Sequence, residues 1–138
     1  MAWVREAVAG GARVLLGGTH DGTAMAPTIL TDVTREMKVV CEEIFAPVIS
    51  VIEVENVDEA VALANASPFG LSVGLFTANL HTAFRAGRDL RFGGIHVNEA
   101  SSARVDAMPF GGVKDSGYGR EGPAYAIREM TEERLMTI

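Results

Sequence analysis

Hydrophobic and polar residues follow helical spacing in some stretches of the chain and strand-like spacing in others, which predicts a mixed α/β fold. The first apolar residues share one helical face, and the pair Gly10-Gly11 ends that pattern. Short apolar runs at 14–16 and 28–30 have the length of strands and are separated by a glycine-containing turn. The opening segment is therefore predicted to be a helix followed by two short strands.

From residue 48 the pattern becomes regular. The near-continuous apolar run at 48–52 is typical of a strand covered on both faces. Asn56 can cap the helix that follows, with Glu59 three residues on as its capping partner. Further strands are predicted at 71–76 and 95–97. This alternation predicts an α/β fold with a parallel sheet, flanking helices and right-handed crossovers.

A second helix is predicted between the strands at 71–76 and 95–97. Either Thr77 or Asn79 can cap its start, and the pair Gly93-Gly94 stops it. Helical spacing predicts an inward face made of four residues: Leu80, Ala83, Phe84 and Gly87.

The stretch 107–122 contains five glycines, at 111, 112, 117, 119 and 122. Glycine tolerates positive φ and allows close approach of another backbone. Flexible linkers lack large apolar residues, whereas this stretch includes Met108, Phe110, Val113 and Tyr118. We therefore predict a folded, packed loop, followed by a short helix at 124–130 and a final strand at 134–138.

Composition narrows the function. The chain has 138 residues, 48% of them hydrophobic, which suits one domain or part of one. Its net charge of −6 argues against partners such as nucleic acid or an anionic membrane surface. The single cysteine, the lack of a leader pattern and the lack of about 18 consecutive apolar residues favour a soluble, cytoplasmic protein.

Two kinds of site are rejected on spacing. The three histidines, at 20, 81 and 96, are too far apart in sequence to suggest a metal site. Gly112 to Gly117 has the glycine spacing of a phosphate-binding loop, but Tyr118-Gly119 follows where Lys-Ser/Thr is required.

Two motifs and one asparagine resemble the NAD(P)-dependent aldehyde dehydrogenases. The first motif is Pro-Phe-Gly-Gly-Val-Lys at 109–114 continued by Ser-Gly-Tyr-Gly-Arg-Glu at 116–121. The second is Glu-Glu-Ile-Phe-Ala-Pro-Val at 42–48, and Asn98 falls where the family has an Asn before its substrate loop. The resemblance runs over 3–138 and implies the C-terminal part of such an enzyme, because the family's members are much longer.

The resemblance divides the chain into a partial catalytic domain at 1–128 and an oligomerisation strand at 129–138. The tail at 134–138 has no predicted pairing partner nearby in sequence, and an unpaired strand edge is a template for another chain. We therefore expect a homo-oligomer formed through this strand.

The resemblance implies that Glu43 and Phe45 bind the cofactor, and it does not distinguish NAD from NADP. The matching Glu of the family holds the nicotinamide ribose hydroxyls, and the matching Phe packs beside the nicotinamide ring. Taken without the family, the same residues suit a solvated glutamate pair and a core phenylalanine. Ala46 stands where the family usually has glycine, which is tolerable if its φ is negative.

The substrate-binding residues implied by the resemblance are Phe110, which lines the aldehyde tunnel, and Asn98. The loop at 99–108 lacks an aromatic cluster, and Arg104 in it can anchor a carboxylate, phosphonate or hydroxyl on a small aldehyde. This form is similar to the branch that handles lactaldehyde and phosphonoacetaldehyde. The plainer interpretations are a surface arginine and a phenylalanine plugging the glycine loop.

Cys41 is not predicted to be the nucleophile. In the family a thiolate attacks the aldehyde, hydride leaves to the nicotinamide, and a glutamate base helps water release the thioester. That cysteine lies well upstream of the Glu-Glu-Ile-Phe motif, whereas Cys41 follows Val39-Val40 and suits a small buried filler. The nucleophile and the base are therefore expected outside this segment, and the isolated chain is expected to be inactive.

Two other hypotheses stay open. The chain can be a truncated, stand-alone protein that acts only by binding itself or an intact homologue through its tail. It can also be a nucleotide-binding module without catalysis, which the missing phosphate loop disfavours.

Overall fold

The computed structural model describes residues 1–138, and the chain divides into two compact units, Met1–Glu55 and Asn56–Ile138. Each is built from helices and short strands, as the α/β prediction requires. None of the helices combines the length and the apolar character that crossing a lipid bilayer needs.

The first unit holds two helices and five strands. The helices are α1 (Ala2–Ala9) and α2 (Lys38–Cys41), and the strands are β1 (Arg13–Leu16), β2 (His20–Asp21), β3 (Ala24–Met25), β4 (Thr28–Thr31) and β5 (Val48–Ser50). The main sheet has the order β1-β4-β5, in which β1 is antiparallel and β5 parallel to the central strand β4, while β2 and β3 form a separate hairpin. The helix and both strands predicted at the start of the chain are thus confirmed.

The core of the first unit lies around Leu30 of β4, which is completely buried. Four other residues complete it: Val4, Ala7, Ala12 and Val39. Thr28 is buried beside them, and its hydroxyl donates to the carbonyl of Ala26 and accepts from the N–H of Gly18. A hydroxyl satisfied on both sides avoids the cost of a buried polar group without a partner.

The run at 48–52 forms a strand but is not covered on both faces. Strand β5 pairs only with β4, so it lies at the edge of its sheet, and Ile49 is 62% exposed. A near-continuous apolar run predicts a strand well, but its coverage depends on which neighbours the chain supplies.

The second unit holds three helices and four strands. The helices are α3 (Val57–Ala66), α4 (Leu80–Asp89) and α5 (Pro123–Met130), and the strands are β6 (Phe69–Gly70), β7 (Ser72–Leu75), β8 (Gly94–Val97) and β9 (Val113–Lys114). Strands β7 and β8 are parallel and connected through α4, while β6 and β9 form an antiparallel pair. The strand–helix–strand connection predicted here is confirmed.

The predicted helix caps are observed. The side chain of Asn56 accepts a hydrogen bond from the N–H of Glu59, and that of Asn79 accepts one from the N–H of Thr82. Of the two caps considered for α4, Asn79 is the one used. Thr77 instead accepts a hydrogen bond from the N–H of Asn79.

The inward face predicted for α4 is wrong in part. Ala83 is buried, but Leu80 and Phe84 are 71% and 74% exposed. Besides Ala83, the structure buries Ala86 and, directly after the helix, Leu90. Ala83 belongs both to the predicted apolar face and to the face that is buried, and helical periodicity alone does not decide which of the two faces the core.

The single parallel sheet is not observed either. Two strand pairs are parallel and three are antiparallel, spread over four small sheets. Strand β5 pairs with β4 rather than continuing the β7–β8 ladder, because the chain supplies it an earlier neighbour. The coarser α/β assignment holds.

The end of the chain contains α5, which confirms the short helix predicted at 124–130 and extends two residues past the boundary proposed at 128. Residues 131–138 belong to no helix or strand and are exposed. The oligomerisation strand stays a prediction, since such a strand needs a partner chain to pair with.

Candidate functional site

Glu43 and Phe45 lie in the connection between α2 and β5 of the first unit. Two short-range hydrogen bonds shape it, from the N–H of Ala46 to the carbonyl of Ile44 and from the N–H of Val48 to the carbonyl of Ala46, each 2.8 Å. Bonds between residues two apart close γ-turns, which fix the backbone tightly. The turn therefore presents these two side chains from a defined backbone.

Both side chains of this turn are free for a ligand. The ring of Phe45 is 95% exposed, and the carboxylate of Glu43 is exposed with no hydrogen bond or ion pair. An unpaired carboxylate accepts hydrogen bonds from sugar hydroxyls, and an exposed ring offers a flat apolar surface. This exposure is compatible with the ribose and the ring of a nicotinamide nucleotide and equally with the solvated glutamate pair considered as the alternative, while Phe45 is not part of the core of this chain. Ala46 is not among the residues with positive φ, so it is compatible with this turn.

Asn98 follows β8 directly and extends the β7–β8 ladder. Its amide oxygen accepts from the N–H of Thr77 at 2.8 Å, and its amide nitrogen donates to the carbonyl of Thr77 at 3.0 Å. Its φ of 56° is left-handed, a conformation that asparagine tolerates better than most residues. Asn98 thus anchors the start of the loop at 99–108.

The second unit brings Arg104 and Phe110 together. The guanidinium carbon of Arg104 lies 4.3 Å from the centroid of the Phe110 ring, which is a cation–π contact. Nη2 of the same arginine donates to Oε2 of Glu121 at 3.0 Å. We refer to Arg104, Phe110 and Glu121 as the arginine cluster.

Backbone pairing fixes two members of the arginine cluster against each other. The N–H of Phe110 donates to the carbonyl of Glu121 at 3.0 Å, and the N–H of Glu121 donates back at 2.6 Å. Glu121 was quoted in the motif but not predicted to be a site residue. The charge pattern could have identified Glu121, because an acidic residue at the end of the motif can pair with Arg104, the arginine of the preceding loop.

The glycine loop depends on close backbone packing. A side chain at Gly93 would overlap the backbone carbonyl group of Gly111, next to Phe110. Lys114, whose φ is 57°, donates from Nζ to the carbonyl of Ser67 at 2.8 Å and lies 5.1 Å from the Phe92 ring centroid. The prediction of a folded loop is confirmed, and Met108, Phe110 and Val113 are half-buried, but Tyr118, also predicted to pack, is fully exposed.

Cys41 ends α2 and is half-buried rather than fully buried. Its Sγ lies 3.7 Å from the backbone carbonyl of Glu36. It makes no contact with a cation that would stabilise a thiolate, as activated cysteines require. No group of three or more potential metal ligands occurs in the structure.

Comparison with known proteins identifies the family of the chain. Residues 1–136 match the model of the aldehyde dehydrogenase family. The chain therefore belongs to the aldehyde dehydrogenase family.

Individual relatives are similar over nearly the whole chain. The 3-sulfolactaldehyde dehydrogenase of Priestia aryabhattai is 50% identical over 136 residues, which are 99% of this chain and 28% of that protein. The lactaldehyde dehydrogenase of Methanococcus maripaludis is 37% identical over 98% of this chain and 29% of its own length. This chain thus spans a little over a quarter of the length of the curated relatives that it matches.

Solved structures agree. The crystal structure of aldehyde dehydrogenase 21 from Physcomitrella patens, in complex with the reaction product succinate, superimposes with a TM-score of 0.92 at 42% identity. The match covers 95% of this chain and 27% of that one. Other matched structures of the family are complexed with NADP or with NAD⁺.

Proposed function

We propose that this chain is the C-terminal segment of an NAD- or NADP-dependent aldehyde dehydrogenase that oxidises a short aldehyde carrying an anionic group. The observation that carries the proposal is the half-exposed guanidinium of Arg104, held over the Phe110 ring. A stacked guanidinium presents its donor edge away from the ring, and that edge is suited to recognition of a carboxylate or sulfonate, as its bond to the carboxylate of Glu121 illustrates. Two of the proteins compared above support this class, since sulfolactaldehyde is anionic and succinate is the product bound in the moss enzyme, whereas the less similar lactaldehyde dehydrogenase is named for a neutral aldehyde.

In this reaction the residues of the chain would bind and orient the nicotinamide nucleotide and the aldehyde. Glu43 would accept hydrogen bonds from the ribose of the nicotinamide nucleotide, and Phe45 would pack beside its ring. When bound, that group supplies the acceptor for the hydride. Phe110 would line the aldehyde's path, with Arg104 fixing the anionic end and Asn98 fixing the start of the loop. The nucleophilic cysteine and the general base would lie outside this segment, so the isolated chain would be inactive.

Two matched aldehydes test the role of Arg104. Lactaldehyde is 3-sulfolactaldehyde with hydrogen in place of the sulfonate. The kcat/KM value for 3-sulfolactaldehyde divided by that for lactaldehyde therefore measures recognition of the anionic group. The assay uses a chimeric enzyme in which residues 1–136 replace the matching segment of the Priestia dehydrogenase. Arg104→Ala should lower the ratio about tenfold, near the lower end of what a charge-assisted hydrogen bond contributes.

Arg88→Ala is the matched control, because Arg88 is also exposed and paired with a carboxylate, that of Asp89. The control should leave the ratio at its starting value. A ratio that Arg104→Ala also fails to move would contradict the proposed substrate class.

The exposed tail favours a second proposal, self-association. Leu135, Met136 and Ile138 are at least 77% exposed, and no strand of the chain pairs with this segment. A homo-oligomer formed through the tail would cover these side chains. Deleting 134–138 should reduce the mass measured by analytical ultracentrifugation to that of one chain, and an unchanged mass would count against the tail.

A further inference from the structure

Glu121 places a carboxylate on the same guanidinium that the proposed function assigns to the substrate. An arginine fork has five N–H donors, and Glu121 engages Nη2 alone. The side chains of Arg104 and Glu121 are 42% and 67% exposed, so water reaches both ends of the pair. An anion that binds the outer edge of the fork through both Nη atoms therefore meets the carboxylate of Glu121 on one of its two donors.

The backbone of Glu121 is fixed independently of its carboxylate. Two backbone hydrogen bonds join Glu121 to Phe110, and the carboxylate's partner is Arg104. A change from carboxylate to amide at this position keeps a hydrogen-bond acceptor and the backbone bridge while removing the charge. The charge can thus be tested apart from the fold.

We propose that Glu121 competes with the anionic group of the substrate for Arg104, and so sets how strongly the enzyme selects anionic over neutral aldehydes. The inference rests on the proposed function, because it requires Arg104 to bind the substrate's anion. Exposed ion pairs are weakly held, so an incoming carboxylate or sulfonate can displace the one that is already there. Glu121 is in this sense a specificity-determining residue rather than a catalytic one.

The pair is exposed in this chain, which spans a little over a quarter of the length of its relatives. A buried pair would hold Arg104 too firmly for a substrate to replace Glu121, since breaking a buried ion pair is costly. An unpaired Arg104 would attract any small anion in solution. A weak internal partner leaves the guanidinium oriented over Phe110 and available to a ligand that brings a better-placed anion.

The test compares Glu121→Gln, Arg104→Ala and the double variant in the chimeric enzyme, with 3-sulfolactaldehyde and lactaldehyde as substrates. Glu121→Gln should lower KM for 3-sulfolactaldehyde about two- to fivefold, the range that an exposed ion pair contributes, and should raise the kcat/KM ratio by a similar factor. The gain should disappear when Arg104 is already alanine. Asp32→Asn is the matched control, since the Arg13–Asp32 pair is also 3.0 Å long and exposed.

The outcomes separate the two proposals. If Arg104→Ala lowers the ratio but Glu121→Gln leaves it unchanged, the competition is wrong and the substrate class stands. If Arg104→Ala has no effect, the substrate class itself fails. A Glu121→Gln gain of equal size with and without Arg104 would mean that the carboxylate repels the substrate directly, which also overturns the competition.

A second measurement does not depend on turnover. The Nε–H signal of Arg104 can be followed by NMR in the 138-residue chain while 3-sulfolactate is added. Glu121→Gln should shift the titration midpoint to a lower concentration by the same two- to fivefold factor. An identical midpoint in both proteins would overturn the competition.

Discussion

The turn at Glu43–Phe45 and the arginine cluster differ in how their functional side chains are held. In the turn only the backbone is fixed, and both side chains are exposed without partners. In the cluster the side chains also hold one another, through a ring contact and an ion pair. Substitutions in the turn should therefore change ligand binding alone, whereas substitutions in the cluster should change stability and binding together.

Gly93→Ala tests whether the cluster depends on the backbone packing next to it. The new methyl group would overlap the Gly111 carbonyl beside Phe110, and backbone cannot move aside as a flexible side chain can. We expect a loss of about 3 kcal/mol in the free energy of unfolding, the upper end of what overpacking usually costs. Urea unfolding followed by circular dichroism measures it.

Gly87→Ala is the control for that change. A side chain at this helical position meets nothing within 4 Å, so alanine should stabilise α4 by up to about 1 kcal/mol. Equal effects at the two glycines would show that close packing at Gly93 is not what makes it necessary.

Phe110→Ala and Phe45→Ala compare the two regions directly. Phe110 is half-buried under Arg104, and its loss should lower the free energy of unfolding by about 2 kcal/mol, below the cost for a fully buried ring. Phe45→Ala should change it by less than about 0.5 kcal/mol, because the ring is exposed. Urea unfolding measures both changes. A large loss of stability in Phe45→Ala would contradict the expected difference between the turn and the arginine cluster.

Glu43→Gln should have a smaller effect than Gly93→Ala or Phe110→Ala: about 1.5 kcal/mol in cofactor binding, which is a tenfold rise in Kd for NAD⁺ or NADP⁺. An amide keeps an acceptor oxygen but loses the charge that strengthens its bonds to the ribose hydroxyls. Titration of the chimeric enzyme with each nucleotide measures the change. Glu42→Gln, at the exposed neighbouring carboxylate, should leave Kd unaltered, and an equal rise there would point to general charge instead.

Local signals in the sequence predicted local structure well. The Asn56 and Asn79 caps are short-range devices, and each is found where the pattern placed it. The parallel pair β7–β8 also follows from a short strand–helix–strand connection. In these cases the residues that decide the structure lie close together along the chain.

Features that depend on distant partners could not be predicted in the same way. The exposure of Ile49 depends on whether another element packs on that face of the sheet, and the exposure of Phe84 depends on which stripe of α4 is buried. Residue types at 104 and 121 suggest opposite charges, but their pairing arises only because backbone bonds align 110 with 121. The sequence could therefore supply candidate residues, whereas their pairing required the fold.

Lys114 has a practical consequence for handling the protein. The chain has two lysines, and Nζ of Lys114 is occupied by backbone carbonyls beneath the glycine loop, whereas Lys38 is on the surface in an ion pair with Glu6. Amine-reactive dyes and resins should therefore attach at Lys38 and at the α-amino group. Immobilised protein would be held through residues of its first unit, and the side chains of the arginine cluster would stay unmodified.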